Sequence, residues 1–384
     1  MTDLVLVVVL LVAGAGAHWL LADLRTLPSG DGHRHAAASV AVVIPARDEE
    51  STLPALLESL RQLTVEVRHI VVVDDDSRDA TASIARLGGA DVVPAGVPGP
   101  GWTGKAWACH VGARATSGNL LLFLDADTVL AADALAGLLE VHDRHGGLVS
   151  VQPFHHVVRP YEQLSAYFNA VSLMASAAFT RRPGRQPMAF GPCLLTSRAD
   201  YERVGGHAAV RGEILDDVQL AAAYDRARLP VHCAVGSRSI WMRSYPGGVR
   251  TMADGWTKNF ASGASAAAPG AAAAAVLWVS AHHAVAVGAA LCVLEAMTGW
   301  GASLAYGHPV LWGVAWVGVA GQLRAFLRRI GSFRWWTWLV FPVPLLAFDL
   351  IFARSAALTV IRRRVRWRGR DVDLRQRGSA EEVA

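Results

Sequence analysis

The chain has 384 residues, of which 53% are hydrophobic, with a mean hydropathy of +0.31 and a formal net charge of +4. It is too long for one small domain and too apolar for an ordinary soluble protein, so part of it is expected to lie in lipid. The four cysteines show no Cys-x-x-Cys spacing, which argues against a disulfide framework and a zinc site. A reduced compartment fits this pattern.

The first predicted element is an uncharged segment at residues 4–22, long enough for one helix across an apolar layer of about 30 Å. A cleaved signal peptide is the alternative, but Asp3 precedes the segment where signal peptides carry Lys or Arg. We therefore predict an N-terminal transmembrane anchor at residues 1–24. Arg25 and Arg34 follow it, and the positive-inside rule then places the next domain on the cytoplasmic side of the cell membrane, in a multi-pass protein.

Residues 38–248 alternate short apolar runs with helical patterns, which predicts a cytoplasmic α/β catalytic domain. Strands are expected at 40–44, 69–73, 91–93 and 120–124, and helices at 49–63, 81–87 and 104–116. Strands and helices of these lengths form βαβ units with parallel strands flanked by helices, a Rossmann-like arrangement. Ligands of such sheets bind at the carboxyl ends of the strands.

Two acidic motifs follow predicted strands at that edge. Asp74-Asp75-Asp76 ends the second strand, and a carboxylate there can accept hydrogen bonds from a base or a ribose. Asp125-Ala126-Asp127 ends the fourth strand, where two carboxylates can hold Mg²⁺ or Mn²⁺ while phosphates and water complete the octahedron. An acidic turn or a helix cap explains each motif alone, but their occurrence at two strand ends favours a ligand site.

Further charged residues can complete such a site. Lys105 stands at a predicted helix start, where its ammonium group can offset phosphate charge, unless it is a loop lysine in solvent. Asp216 and Asp217 begin another helix; a carboxylate beside a second acid can have a raised pKa and act as a general base, although Asp also suits a capped helix start. Gly191-Pro192-Cys193 and Gly205-Gly206-His207 precede this pair and shape either an acceptor pocket or ordinary turns.

Four motifs in this order closely resemble family 2 glycosyltransferases of the GT-A fold, which are inverting enzymes that use nucleotide sugars. They are Val42-Val43-Ile44-Pro45-Ala46-Arg47-Asp48-Glu49-Glu50, Val73-Asp74-Asp75-Asp76-Ser77, Asp125-Ala126-Asp127 and Leu215-Asp216-Asp217. The resemblance covers about residues 38–262 and implies a mixed sheet flanked by helices. It also implies a nucleotide-sugar donor and Mg²⁺ or Mn²⁺.

The resemblance assigns roles to individual residues. Those implied for binding the nucleotide sugar are Pro45, Ala46, Arg47, Glu49, Asp74, Asp75, Lys105 and Asp125. Asp125 and Asp127 would hold the metal. Asp217 would be the catalytic base, and Asp216 replaces the Glu that precedes it in the family.

Within the family, Gly101-Trp102-Thr103-Gly104-Lys105-Ala106-Trp107-Ala108 is similar to membrane enzymes that glycosylate carotenoid acids or are associated with hopanoid synthesis. The segment Val365-Arg366-Trp367-Arg368-Gly369-Arg370 is similar to the end of ceramide glucosyltransferases. These likenesses imply transfer of one hexose, with UDP-glucose as the expected donor, to a carotenoid, hopanoid, polyprenyl or sphingoid lipid.

Two other functions stay open from the sequence: a processive polysaccharide synthase, and a non-catalytic membrane scaffold that keeps a sugar-nucleotide site. The Gln-x-x-Arg-Trp block that closes over the diphosphate in processive synthases is absent as written. Gly255-Trp256-Thr257-Lys258-Asn259-Phe260 occupies about its place, and Lys258 is the expected substitute for its arginine.

The remainder of the chain predicts membrane attachment. Residues 249–268 are expected to form an interfacial helix, and residues 269–361 a membrane region with two spans and a third segment that Phe341-Pro342-Val343-Pro344 breaks. We interpret that segment as re-entrant or interfacial. The basic tail at 362–384 is expected in the cytoplasm, against anionic lipid. Because its arginines adjoin a membrane segment, no nucleic acid is expected, and no protein partner is predicted.

Overall fold

The computed structural model describes residues 2–32, 38–180, 187–213, 215–263, 267–299 and 308–358, and the backbone of 364–367 and 370–373. The strands are β1 (Val40–Ala46), β2 (His69–Asp74), β3 (Asp91–Pro94), β4 (Leu120–Leu124), β5 (Thr128–Leu130), β6 (Leu148–Gln152), β7 (Phe154–His155), β8 (Cys193–Ser197), β9 (Val231–Val235), β10 (Ile240–Met242), β11 (Arg364–Trp367) and β12 (Arg370–Asp373).

The helices are α1 (Thr2–Leu21), α2 (Leu53–Arg61), α3 (Thr81–Leu87), α4 (Gly104–Ala115), α5 (Ala134–His145), α6 (Ala166–Ser176), α7 (Arg198–Arg203), α8 (Asp216–Arg226), α9 (Val249–Gly263), α10 (Pro269–Thr298), α11 (Pro309–Ile330), α12 (Trp335–Leu339) and α13 (Pro342–Ala357). Two compact units contain these elements. The sheet unit comprises residues 24–156 and 178–243, and the helical unit comprises residues 1–23, 157–177 and 244–384.

A seven-stranded sheet in the order β3-β2-β1-β4-β8-β6-β9 forms the centre of the sheet unit. Strands β3, β2, β1 and β4 are parallel, as the βαβ pattern predicts. Strand β8 lies antiparallel between β4 and β6, so the sheet is mixed. This arrangement confirms the predicted α/β fold of the GT-A type. A smaller sheet in the order β5-β10-β7 belongs to the same unit.

Both faces of the large sheet are buried because successive side chains of a strand point to opposite faces. On β1, Val42 and Ile44 belong to a core that includes α2 and α5. Ala41 and Val43 belong to the core on the other face, with α4 and α8. At Gly112 of α4, a Cβ atom would lie 2.3 Å from the Val43 side chain, so glycine lets this helix lie close to the sheet.

Among the residues that the structure describes, three helices of the helical unit are long and apolar enough to cross a membrane: Leu4–Leu21, Pro269–Thr298 and Pro309–Ile330. One polar side chain links them. Gln322 of α11 donates from Nε2 to the carbonyl oxygen of Gly14 in α1, at 2.8 Å, and accepts from the Trp278 indole of α10, at 2.9 Å. The second of these helices, α10, begins at Pro269, the first residue of the predicted membrane region, and α9 ends before it at Gly263.

Residues 157–177 belong to the helical unit, although the sequence pattern placed them inside the catalytic domain. Within that unit, the hydroxyl of Tyr167 in α6 forms a buried 2.6 Å hydrogen bond with Nδ1 of His282 in α10. The proline-containing segment near the C-terminus forms two short helices, α12 and α13, with Val340 and Phe341 between them. Its re-entrant character stays a prediction.

The basic tail contains a feature that the sequence analysis did not predict. Strands β11 and β12 pair antiparallel as a hairpin. In its register, Arg364 stands opposite Asp373 and Arg366 opposite Asp371.

Candidate active site

The loops that follow β1 and β2 meet at one edge of the sheet. Pro45 and Ala46 pair in register with Val73 and Asp74, and the backbone N–H of Asp75 donates to the Ala46 carbonyl at 2.9 Å. Arg47 forms an ion pair with the buried carboxylate of Asp75, at 3.4 Å. The structure therefore brings these predicted nucleoside-binding residues together.

Other acidic side chains accept hydrogen bonds that stabilise the conformation of these loops. The carboxylate of Asp74 accepts from the Ser77 backbone N–H at 3.3 Å, and that of Glu49 accepts from the Thr52 hydroxyl at 2.7 Å. The Glu49 backbone N–H donates to the Thr81 hydroxyl at 2.8 Å. The acidic run after β2 thus has a structural role as well as a predicted binding role.

A small pocket lies at the same edge. Its wall consists of Pro45, Lys105, Cys109, Phe123, Leu124, Asp125, Gly191, Leu194, His207, Asp216 and Asp217. Four charged residues from three separate segments of the chain line this pocket: Lys105, Asp125, Asp216 and Asp217. Asp127 is half-buried on the loop between β4 and β5.

Lys105 lies in the first turn of α4, and its ammonium group is part of this charged cluster. Its Nζ atom lies 2.6 Å from Oδ1 of Asp125. Burial opposes the charged form, but the charges of Asp125 and Asp216 outweigh it and raise the pKa of Lys105 above its ordinary value. Lys105 is one of only two lysines in the chain, and the other is Lys258.

Asp217 begins α8 with both carboxylate oxygens engaged. Oδ2 accepts from the backbone N–H of Gly191 at 2.8 Å, and Oδ1 accepts from the N–H of Val218 at 2.9 Å. Burial and the adjacent charge of Asp216 raise the pKa of Asp217 to about 6, against the opposing effect of Lys105. The site therefore contains a carboxylate whose protonation changes near neutral pH, as general base catalysis requires.

Gly191 explains how two chain segments reach this cluster. A Cβ atom at this position would lie 3.1 Å from Lys105 Nζ and 3.3 Å from Asp217 Oδ2. The next residue, Pro192, accepts from the Asp125 backbone N–H at 3.0 Å. The turn before β8 thus holds the predicted base and the predicted diphosphate anchor beside each other.

The residues at Asp125 and Asp127 fit a hard divalent cation by their chemistry, since both offer carboxylate oxygens. Within the described parts of the chain, no group of three or more His, Cys, Asp or Glu side chains is arranged to hold a metal ion. An ion at the two aspartates would thus need further oxygen ligands from a substrate or water. Metal sites for diphosphates commonly have this composition.

Lys258 lies on α9 in the helical unit, and its predicted contact with a diphosphate stays a prediction. The sequence analysis missed Cys109, Phe123 and Leu194 as pocket residues. They carry no chemical signal, because they are also ordinary core residues of the sheet and α4.

A mixed sheet of the GT-A type with carboxylates, a lysine and a raised-pKa aspartate at its edge is what a glycosyltransferase is expected to have. The model of the family described as "Glycosyl transferase family 2" matches residues 41–205. The chain belongs to this family. Because its members are transferases, the expectation of an enzyme is confirmed.

Two relatives match over most of their length. A 4,4'-diaponeurosporenoate glycosyltransferase of Staphylococcus haemolyticus is 38% identical over 270 residues, which are 68% of this chain and 72% of the relative. One with the same name from Staphylococcus aureus is 33% identical over 342 residues, 88% of each chain.

Solved structures with lower similarity include a glucosyl-3-phosphoglycerate synthase from Mycobacterium tuberculosis with Mn²⁺, UDP-glucose and phosphoglyceric acid. Its TM-score is 0.43 at 20% identity, covering 63% of this chain and 87% of that one. A mannosyltransferase from Pyrobaculum calidifontis with GDP-mannose and Mn²⁺ has a TM-score of 0.45 at 19% identity, covering 92% of this chain and 99% of that one.

Proposed function

We propose that this protein transfers a single hexose from a nucleotide sugar, UDP-glucose in the first instance, to a lipid acceptor, with inversion at the anomeric carbon. One observation carries the proposal: a single pocket contains Asp217, with its raised pKa, together with Lys105 and Asp125. The names of the relatives support a carotenoid acid as the first acceptor to test.

The reaction follows from these positions. Asp217 takes the proton of an acceptor hydroxyl, or orients an acceptor oxygen that is already ionised. That oxygen attacks the anomeric carbon, the bond from this carbon to the diphosphate breaks, and the nucleoside diphosphate leaves with the electron pair. Lys105 offsets the charge of the departing diphosphate. A bound Mg²⁺ or Mn²⁺ at Asp125 and Asp127 would stabilise the same charge.

Arginine supplies nearly all the positive charge of this chain, yet the two positions assigned to the diphosphate are lysines. A lysine is a compact point charge, whereas a guanidinium group needs more space and a planar partner. At Lys105 space is short, since Gly191 approaches the ammonium group closely. This supports a specific role for Lys105.

The proposal is tested by mass spectrometry of lipid extracts from cells that make either the wild-type protein or the Asp217→Asn variant. We expect a lipid heavier by one hexose only with the wild type. A ladder of several hexoses would instead support a processive synthase. Sugar-nucleotide binding with unchanged lipids in both strains would support a scaffold, although the family and the retained Asp217 argue against it.

The pH profile of the transfer rate tests the role of Asp217. A base must be ionised, so the rate should rise with pH through about 6, where Asp217 loses its proton. The Lys105→Gln change removes a charge that lowers the pKa of Asp217, so the acidic limb should move to higher pH. Asp216→Asn removes a charge that raises this pKa, so the limb should move to lower pH. A rate that falls through this range would show that protonated Asp217 is the active form.

We further propose that the chain crosses the cell membrane three times, with residue 1 outside and the sheet unit in the cytoplasm. Three apolar helices and the arginines at the end of α11 support this orientation. Alkaline phosphatase fused after Gly299 should be active, and green fluorescent protein fused after Ala384 should fluoresce. Phosphatase activity at Ala384 would instead mean that α12 and α13 cross the membrane.

A further inference from the structure

His207 is the one imidazole among the described residues that line the pocket, and it is only 2% exposed. It follows Gly205 and Gly206, whose φ angles of +79° and +51° favour glycine. A Cβ atom at Gly206 would lie 2.4 Å from the ring of Tyr201, so no larger residue fits there. The two glycines therefore place His207 directly against Tyr201.

The contacts with Tyr201 favour the tautomer of His207 that carries its ring proton on Nε2, because the buried Tyr201 hydroxyl then has Nδ1 as an acceptor. The Tyr201 hydroxyl oxygen accepts from the backbone N–H of His207, at 3.1 Å. The same hydroxyl lies 2.8 Å from Nδ1, and its own proton is free to point to that nitrogen. Nδ1 is then an acceptor, and the ring proton is on Nε2. No hydrogen bond to Nε2 is found within the described residues, which leaves this N–H for a ligand.

The imidazole is also neutral and firmly held. Burial lowers the pKa of His207 to about 4, and the nearby Lys105 acts in the same direction, while Asp216 opposes it. The ring of Phe123 packs edge-on against the imidazole, with centroids 5.0 Å apart. His207 thus presents one uncharged N–H in a fixed direction.

We infer that His207 donates a hydrogen bond from Nε2–H to a hydroxyl group of the hexose in the sugar donor, and that Tyr201 is the positioning residue that fixes this tautomer. The charged residues that line the pocket favour a hydroxyl group as the ligand of His207. Asp216 and Asp217 would repel an anion, whereas a hydroxyl can donate to a carboxylate and accept from His207 at once. The diphosphate has Lys105 as its cationic partner and does not need a neutral donor.

This inference rests on the proposed function and is tested with purified protein in detergent with Mn²⁺. The measurements are kcat/KM for UDP-glucose and for its 2-, 3-, 4- and 6-deoxy analogues, and the Kd of UDP. His207→Ala should lower kcat/KM for UDP-glucose about tenfold, the loss of one neutral hydrogen bond, and leave the Kd of UDP unchanged. His207→Gln keeps an N–H near Nε2 and should recover most of the loss.

The analogues separate a sugar contact from a structural effect. For the one analogue that lacks the contacted hydroxyl, wild type and His207→Ala should have the same kcat/KM. An equal penalty for every analogue, weaker UDP binding in the variant, or no recovery with glutamine would overturn the inference alone. Failure of the wild type to use UDP-glucose would overturn the proposed donor and this inference with it.

Discussion

Asp217→Asn should reduce the transfer rate by about 10²- to 10⁴-fold, the range expected for the loss of a general base, with little change in the affinity for the nucleotide sugar. An amide is nearly the same size as the carboxylate, and its oxygen can still accept from the Gly191 N–H that now bonds to Oδ2, while the Val218 N–H at Oδ1 loses its acceptor. The bond that joins α8 to the turn at Gly191 is therefore kept, and the pocket should keep most of its shape. What is lost is the site that takes a proton near pH 6.

The measurements are kcat with a lipid acceptor and the Kd of UDP-glucose, each with the wild type and the variant. Asp225→Asn is the matched control, because it makes the same chemical change on the same helix at an exposed position. It should leave both quantities unchanged. Full activity of Asp217→Asn would exclude Asp217 as the base, and equal losses in both variants would point to α8 as a whole.

The sequence predicted well those elements whose signals are local. Helix α3 and strand β4 have the predicted bounds, and the two acidic motifs lie at strand ends as expected. An apolar run that ends in two carboxylates is visible without any knowledge of its neighbours. Parallel order also followed from the alternation of strands and helices, for β1, β2, β3 and β4.

Features that depend on contacts between residues far apart in the sequence could not be predicted from the sequence. Nothing in Cys193–Ser197 shows that β8 enters the sheet antiparallel between β4 and β6. Nothing in residues 157–177 shows that Tyr167 bonds to a histidine of α10. The sequence predicts that Gly205-Gly206-His207 shapes either an acceptor pocket or a turn. It does not show that Tyr201 fixes the tautomer of the histidine.

The cluster of Lys105, Asp125 and Asp217 shows that contacts between residues far apart in the sequence also build the site itself. Each residue comes from a different element, and each had a structural explanation of its own. The turn at Gly191 and Pro192 joins them through one hydrogen bond to Asp217 and one from Asp125. The raised pKa of Asp217 comes first from its burial among these elements, which the sequence does not show, and second from Asp216, which the sequence already places beside it.

Asp127→Ala should abolish the effect of Mn²⁺ on donor binding and lower kcat/KM for UDP-glucose by at least about a hundredfold, since a bound divalent ion contributes several kcal/mol to such reactions. Asp125 already pairs with Lys105 at 2.6 Å, so it is partly neutralised and is a poor sole ligand. Asp127, half-buried two residues further on, is the second carboxylate that the proposed ion would need.

Titration of UDP with and without Mn²⁺ measures this effect directly. The wild type should bind UDP more tightly with the ion, and Asp127→Ala should bind it equally in both conditions. Asp133→Ala is the control, because this aspartate precedes α5 and its side chain does not cap that helix. It should keep the full effect of Mn²⁺. Because UDP carries the diphosphate but no sugar, a persistent Mn²⁺ effect in Asp127→Ala would place the ion elsewhere, whatever the role of Asp217.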